Sequence, residues 1–347
     1  MREETEMFVQ NAWYVAAWEH EIAQALLPRR ILGVPLVFFR GPDGAVAALE
    51  DRCCHRNAPL SAGKLIGGEV QCGYHGLRFD GSGQCVEVPS QSMVPPGARV
   101  RSFPVAERHK WVWVWMGDPA QADPAAIPDL FWHDSPGWKA IGDYNYVKGA
   151  YQRMVDITLD QTHSQYVHPD TLGQADKVKA RPKVTREGRE LRCERLMPDG
   201  PPPKLWAKVA GIEGNADSWN KWRYLPPSIV MFDVGIAKVG TGAFEGDRSQ
   251  GVTGHNTHAF TPETERTAHH FWVSARDFGL ENEELTQQFW NLRKVFREDV
   301  DMVEAVQRTV DSFPDSPTID VNSDNPTIQA RNLVSRLIEE ERRGVAA

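Results

Sequence analysis

Two short segments of this chain each carry one thiol and one imidazole: Cys53-Cys54-His55 and Cys72-Gly73-Tyr74-His75. Thiolate and imidazole are metal donors, and four of them in two tight segments point to a shared metal centre. Zinc fingers pair two cysteines in one place and two histidines in another, whereas here each segment supplies one of each. A [2Fe-2S] cluster with two thiolates on one iron and two imidazoles on the other is the better match to two loops that each offer a Cys and a His. Neutral imidazoles reduce the negative charge on such a cluster and raise its potential to roughly −150 to +300 mV, so that it accepts electrons from a reduced flavin or ferredoxin.

A second set of donors follows in the segment from Asp156 to Pro169, which holds Asp160, His163 and His168. On an ideal helix Asp160 and His163 share a face, while His163 and His168 lie about 140° apart. Pro169 disfavours the α conformation at His168, so the expectation is a helix that breaks near His168 and turns that imidazole back toward His163. Two imidazoles and one carboxylate on one octahedral face leave positions for O2 and water, the arrangement of non-haem Fe(II) oxygenases. A candidate third ligand is Asp299, in a predicted helix from Glu283 to Arg308 whose apolar stripe is Leu292, Val295, Phe296, Met302, Val303 and Val306. A charge in a buried face requires a partner or a metal. Glu298 and Asp301 fall off the centre of that stripe and are expected to be solvated.

The elements that must hold the first set read as hairpins. Gly67-Gly68 and Gly81-Ser82-Gly83 signal turns, Val86-Glu87-Val88 reads as a short strand, and Trp111 to Met116 is apolar on both faces, hence a buried strand. Gly117 to Pro128, with prolines at 119, 124 and 128, reads as a linker. Two domains follow, 1–120 and 121–347. The 347 residues carry a formal charge of −8, which disfavours a nucleic-acid partner, and the apolar runs are too short for a membrane span. The acidic start, Met1 to Glu6, does not resemble a secretory signal. A cytoplasmic protein with reduced thiols is expected, so Cys54, Cys85 and Cys193 are ordinary free cysteines.

Cys53-Cys54-His55-Arg56 with Cys72-Gly73-Tyr74-His75-Gly76 resembles the signature of Rieske non-haem iron aromatic oxygenases. Position 58 is Ala and position 74 is Tyr, so the extra disulfide of respiratory Rieske proteins is absent. The stretch Asn11 to Trp18, the strand ending in Gly117-Asp118-Pro119, and Thr261-Pro262-Glu263-Thr264-Glu265 extend the resemblance over nearly the whole chain. It is strongest to the branch of vanillate- and dicamba-type O-demethylases and toluenesulfonate-type methyl-monooxygenases. The resemblance implies an α+β protein: an all-β Rieske domain followed by a helix-grip (START-like) catalytic domain with a curved antiparallel sheet.

It also implies Cys53, His55, Cys72 and His75 as [2Fe-2S] ligands, and His163, His168 and Asp299 as ligands of a mononuclear Fe(II). Asp160 would bridge His163 to the Rieske His75 of a neighbouring subunit in a head-to-tail homotrimer. Such an enzyme hydroxylates a methyl or methoxy group of a small, anionic aromatic substrate with O2. Its electrons come from a separate flavin- or ferredoxin-type reductase and only indirectly from NAD(P)H, in keeping with the lack of a G-x-G-x-x-G fingerprint. His258 and Trp290 match pocket positions of the family. Ile157 is a third pocket candidate and stands where related sequences usually have Asn. Nine residues turn an ideal helix by about 180°, which would turn Trp290 away from Asp299 unless the helix unwinds. His255, His269 and His270 read as surface positions. Ring hydroxylation of another aromatic substrate, or a Rieske electron-transfer protein without mononuclear iron, remain alternatives at this level.

Overall fold

The computed structural model describes residues 7–23, 25–169, 171–172 and 182–344, so the acidic start lies outside the described residues. It divides into two compact units. The first runs to Asp129 and includes Thr261–Glu265 and the residues from Ile338 onward; the second comprises Leu130–Phe260 and Arg266–Leu337. The first unit therefore passes the boundary expected at residue 120. The Asp-Pro steps of the expected linker fold instead into two 3-10 turns with their own caps. Asp118 Oδ1 accepts from the Ala120 N–H at 3.0 Å and Asp123 Oδ1 from the Ala125 N–H at 2.9 Å. The Trp13 indole N–H donates to the Asp123 carbonyl at 2.9 Å and ties this stretch to the first strand.

The first unit is all-β apart from short 3-10 turns and the end of the last helix. Its strands are β1 (Trp13–Trp18), β2 (Leu27–Ile31), β3 (Val34–Arg40), β4 (Val46–Glu50), β5 (Lys64–Ile66), β6 (Glu69–Gln71), β7 (Arg78–Phe79), β8 (Cys85–Glu87), β9 (Ser102–Phe103), β10 (Val105–Arg108) and β11 (Trp111–Trp115). They form three antiparallel sheets, ordered β1-β11-β10, β2-β3-β4-β9 and β5-β6-β7-β8. Strand β11, Trp-Val-Trp-Val-Trp, is buried at every position, as its two-faced apolar pattern requires. Phe39, Leu49, Leu60, Val70 and Phe79 pack into a core that also takes in Cys53 and Cys72.

The second unit consists of β12 (Lys139–Val147), α1 (Tyr151–Leu159), α2 (Ser164–Val167), β13 (Lys183–Glu187), β14 (Glu190–Gly200), α3 (Lys204–Ala210), β15 (Ala216–Leu225), β16 (Ile229–Ala237), β17 (Gly251–Thr264), β18 (Thr267–Arg276), α4 (Glu283–Trp290), α5 (Leu292–Ser312) and α6 (Asn325–Arg342). The strands make one large sheet in the order β12-β18-β17-β16-β15-β14-β13, accompanied by few helices. None of the described helices is long and apolar enough to cross a membrane.

Three local expectations are corrected here. The predicted helix from Glu283 is two helices that meet at Asn291, and the first is capped by Asn282 Oδ1 accepting from the Leu285 N–H at 2.9 Å. On α5 the buried face runs through Leu292, Val295, Phe296, Val300 and Val303. Met302 lies one residue, or about 100°, from Val303 and stands 44% exposed, while Val306 is 40% exposed. His269 and His270 are buried rather than at the surface, because β18 lies inside the sheet between β12 and β17 and is covered on both faces. His255 is likewise half-buried, with its ring stacked on Trp132 at 4.5 Å between centroids.

Candidate functional site

The two Cys/His segments fold into matching loops. In the first, which follows β4, the Cys53 N–H donates to the Ala58 carbonyl at 2.8 Å and the Asn57 N–H to the Cys53 carbonyl at 3.0 Å. In the second, between β6 and β7, the Cys72 N–H donates to the Leu77 carbonyl at 2.8 Å and the Gly76 N–H to the Cys72 carbonyl at 3.1 Å. The offsets from the cysteine are the same in both. The fourth residue after each cysteine has a left-handed backbone, φ +58° at Asn57 and +78° at Gly76. Glycine and asparagine are the residues that accept this conformation at least cost.

The loops point their cysteines inward and their histidines outward. Cys53 and Cys72 are buried, His55 and His75 are exposed, and the two imidazole rings approach to 4.5 Å between centroids. As a bare thiol Cys53 is pushed up to about 11, by burial first and further by Cys72 and Cys54, while a backbone hydrogen bond at His55 works in the other direction. Metal coordination removes that proton. Two buried sulfurs and two outward imidazoles, held on twin loops, fit a cluster with one thiolate-bound and one imidazole-bound iron. Cys54, Cys85 and Cys193 are free, as expected.

In the second unit His163, His168 and Asp299 bring one ligand atom each to within 4.8 Å of one another. His168 Nε2 lies 2.9 Å and His163 Nε2 3.3 Å from the same oxygen, Asp299 Oδ1. Cis donors on an octahedral ion with bonds of about 2.1 Å are about 3.0 Å apart, so this spacing suits one ion bound by all three. Each imidazole is oriented from behind. The His163 Nδ1–H donates to the Asp160 backbone carbonyl, and the His168 Nδ1–H donates to Glu298 Oε2 at 2.6 Å. Burial opposes a charge on Asp299, but its contacts with His163 and His168 outweigh that and hold the carboxyl below its usual range.

The chain reaches this geometry by another route than the expected helix. Helix α1 ends at Leu159, and Asp160 is already extended, with φ −85° and ψ 105°. The cause is local: Asp160 Oδ1 accepts from the Thr162 N–H at 2.9 Å and from the Thr162 hydroxyl at 2.7 Å, a turn that competes with the helix. His163 then caps the single turn α2, and His168 follows it. Asp160 thus holds His163 through its backbone carbonyl. Its Oδ2 makes no hydrogen bond among the described residues.

The His163, His168 and Asp299 set opens onto a cavity walled by Trp206, Phe232, Phe289, Phe296 and the sheet face that bears His258. His258 is 5% exposed, and its Nδ1 lies 3.0 Å from Nε2 of the 1% exposed His270. His270 Nδ1 has no partner. If His258 were the donor in this pair, His270 would keep a buried, unpaired N–H, the rarest kind of orphan group. The pair is therefore assigned with His270 Nε2–H donating to His258 Nδ1, which leaves the proton of His258, a residue of the cavity wall, on Nε2.

Ile157 and Trp290 do not line the cavity. Their neighbours Thr158 and Phe289 do, so each expectation was off by one residue on its helix. Trp290 instead lies beside Trp272, at 6.3 Å between centroids, with Arg293 over its ring. Glu298, expected to be solvated, is the residue that sequence reasoning missed. Its carboxylate is 45% exposed, yet it holds the His168 ring, and its place beside Asp299 was the available signal.

Residues 12–104 match the Rieske [2Fe-2S] domain family, and residues 147–340 match the vanillate O-demethylase oxygenase C-terminal domain family. The iron-sulfur subunit of the toluene-4-sulfonate monooxygenase system of Comamonas testosteroni is 42% identical over 98% of this chain and 100% of its own length. The oxygenase component of dicamba O-demethylase from Stenotrophomonas maltophilia is 41% identical over 87% of this chain and 88% of its own. The crystal structure of dicamba monooxygenase with non-haem iron and dicamba superposes with a TM-score of 0.84 at 36% identity, covering 97% of this chain and 99% of that one.

Proposed function

Because this chain belongs to the family of oxygenases that join a Rieske [2Fe-2S] domain to a vanillate O-demethylase-type C-terminal domain, we propose that it is the terminal oxygenase of a multicomponent monooxygenase. Its reaction is hydroxylation of a methyl or methoxy group on an aromatic acid. The convergence of His163, His168 and Asp299 on an aromatic-walled cavity carries this reading. On a methoxy group the balance is ArOCH3 + O2 + NAD(P)H + H+ → ArOH + HCHO + H2O + NAD(P)+. On a methyl group it is ArCH3 + O2 + NAD(P)H + H+ → ArCH2OH + H2O + NAD(P)+.

Cys53, His55, Cys72 and His75 hold the cluster; His163, His168 and Asp299 hold Fe(II). When bound, the cluster supplies electrons singly and the ferrous ion supplies O2 activation. A separate flavin- or ferredoxin-type reductase takes the electrons from NAD(P)H. Trp206, Phe232, Phe289 and Phe296 exclude water and seat the ring. The His258 Nε2–H donates to the carboxylate or sulfonate. Burial holds His258 down to about 4, so at neutral pH it acts as a neutral donor. Asp160 turns its second oxygen to the partner subunit's His75 in a homotrimer, linking the two centres across the interface.

The test supplies purified oxygenase with an NADH-linked reductase, O2 and either methoxybenzoates or methylated aromatic acids. Release of one formaldehyde, or formation of one benzyl alcohol, per O2 consumed is expected. Cluster oxidation with no carbon product from any methylated or methoxylated aromatic acid would refute it.

A further inference from the structure

We propose that Trp272 and Trp290 form a discharge route for oxidising equivalents left at the His163, His168 and Asp299 set when no substrate takes them, with a soluble thiol refilling the pair; this rests on the oxygenase reading above. Phe296 lines the cavity and stands three residues before Asp299 on α5, hence on the same helix face. Its ring lies 4.8 Å from that of Trp272 between centroids, and Trp272 lies 6.3 Å from Trp290. Trp272 is fully buried, whereas Trp290 is half-buried, with the guanidinium of the exposed Arg293 5.1 Å from its ring centre. Two ring-to-ring steps thus lead from the cavity wall beside Asp299 toward the surface, with Phe296 as the medium the electron crosses. Trp206 also lines the cavity, but its aromatic neighbours among the described residues are Phe278 and Phe289, neither of which leads to a further indole. Phenyl rings are much harder to oxidise than indoles, so a hole placed on Trp206 has no next station.

The surroundings of the two indoles give the route a direction. The Trp272 N–H is buried without a hydrogen-bond partner, an exception in folded proteins that a redox role accounts for. An indole that has lost an electron is a strong N–H acid; with no acceptor beside it, Trp272 keeps its proton and passes the charge on. At Trp290 solvent takes the proton, and the Arg293 cation opposes a second positive charge on the ring, so the hole comes to rest there as a neutral radical. In each pass Trp272 loses one electron to the metal set, Trp290 returns one to Trp272 and releases its indole proton, and a thiol gives Trp290 back a hydrogen atom. Two passes reduce one hydrogen peroxide, the two released protons complete its conversion to water, and the two thiyl radicals couple: H2O2 + 2 RSH → 2 H2O + RSSR.

The test mixes substrate-free protein, loaded with Fe(II), with hydrogen peroxide, freezes it for electron paramagnetic resonance, and maps oxidised residues by peptide mass spectrometry. A neutral indole radical and oxygen addition at Trp290 are expected, and dithiothreitol should suppress both. Trp290→Phe should abolish that radical. Trp272→Phe should leave Trp290 unoxidised and shift the damage to Trp206, and both variants should keep the cluster spectrum and the Fe(II) binding of the unmodified protein. Absence of an indole radical in unmodified protein that holds the mononuclear iron would overturn the proposal. So would equal oxidation of Trp290 in the Trp272→Phe protein, or in protein stripped of its mononuclear iron. Failure to take up that iron at all would defeat the oxygenase reading, and the route with it.

Discussion

At the scale of single residues, the proposed iron site depends on groups that would never touch the ion. Glu298 fixes the ring of His168 from its far nitrogen, and an oriented, more basic imidazole is a better ligand. Glu298→Ala should lower Fe(II) affinity by about 10- to 100-fold while leaving the visible spectrum of the cluster unchanged, measured by Fe(II) titration of the protein stripped of its mononuclear iron. The His258/His270 pair makes a different prediction. Burial lowers His258 to about 4 and His270 well below its ordinary value, so both are neutral in the fold. In the unfolded chain they titrate near 6.5. As pH falls below about 6.5 the unfolded state takes up protons that the fold refuses, and stability declines until His258 itself titrates. Between pH 6.5 and 5 His258 alone contributes a loss of about 1.6 kcal/mol, with His270 acting in the same direction. Chemical denaturation at the two pH values should show this loss, and His270→Phe should reduce it; an unchanged slope would remove the pair from the explanation.

At the scale of elements, the two Cys/His loops were readable in the sequence because their geometry is local. A Cys and a His two or three residues apart, followed by Asn57 or Gly76 in the left-handed region, needs little from the rest of the fold. A β-branched side chain there should cost about 1–2 kcal/mol. Asn57→Val is accordingly expected to lower the thermal midpoint of cluster loss by several degrees, while Asn57→Gly retains it; equal behaviour of the two variants would show that the backbone conformation does not matter. The helices around His163, His168 and Asp299 were less legible. The end of α1 depends on whether Asp160 bonds Thr162 or continues the helix, a competition that spacing alone does not decide. A shift of one residue exchanged Trp290 for Phe289 and Ile157 for Thr158 at the cavity wall. The burial of His269 and His270 follows from the place of β18 in the sheet order, which no local pattern of β18 reveals.

At the scale of the whole molecule, the proposed plan gives one unit the thiolate and imidazole donors of a cluster and the other a histidine and carboxylate set beside a cavity. The relatives that share this plan over nearly their full length are oxygenase components of multicomponent systems. The plan has a direct analytical consequence, since the two centres differ in sulfide content. The purified protein should contain three irons and two acid-labile sulfides per chain. His163→Ala should contain two irons and two sulfides, keep the cluster spectrum, and lose product formation. A wild-type ratio of two irons to two sulfides that does not rise when Fe(II) is added would contradict the account, because no second centre would exist to receive the electrons.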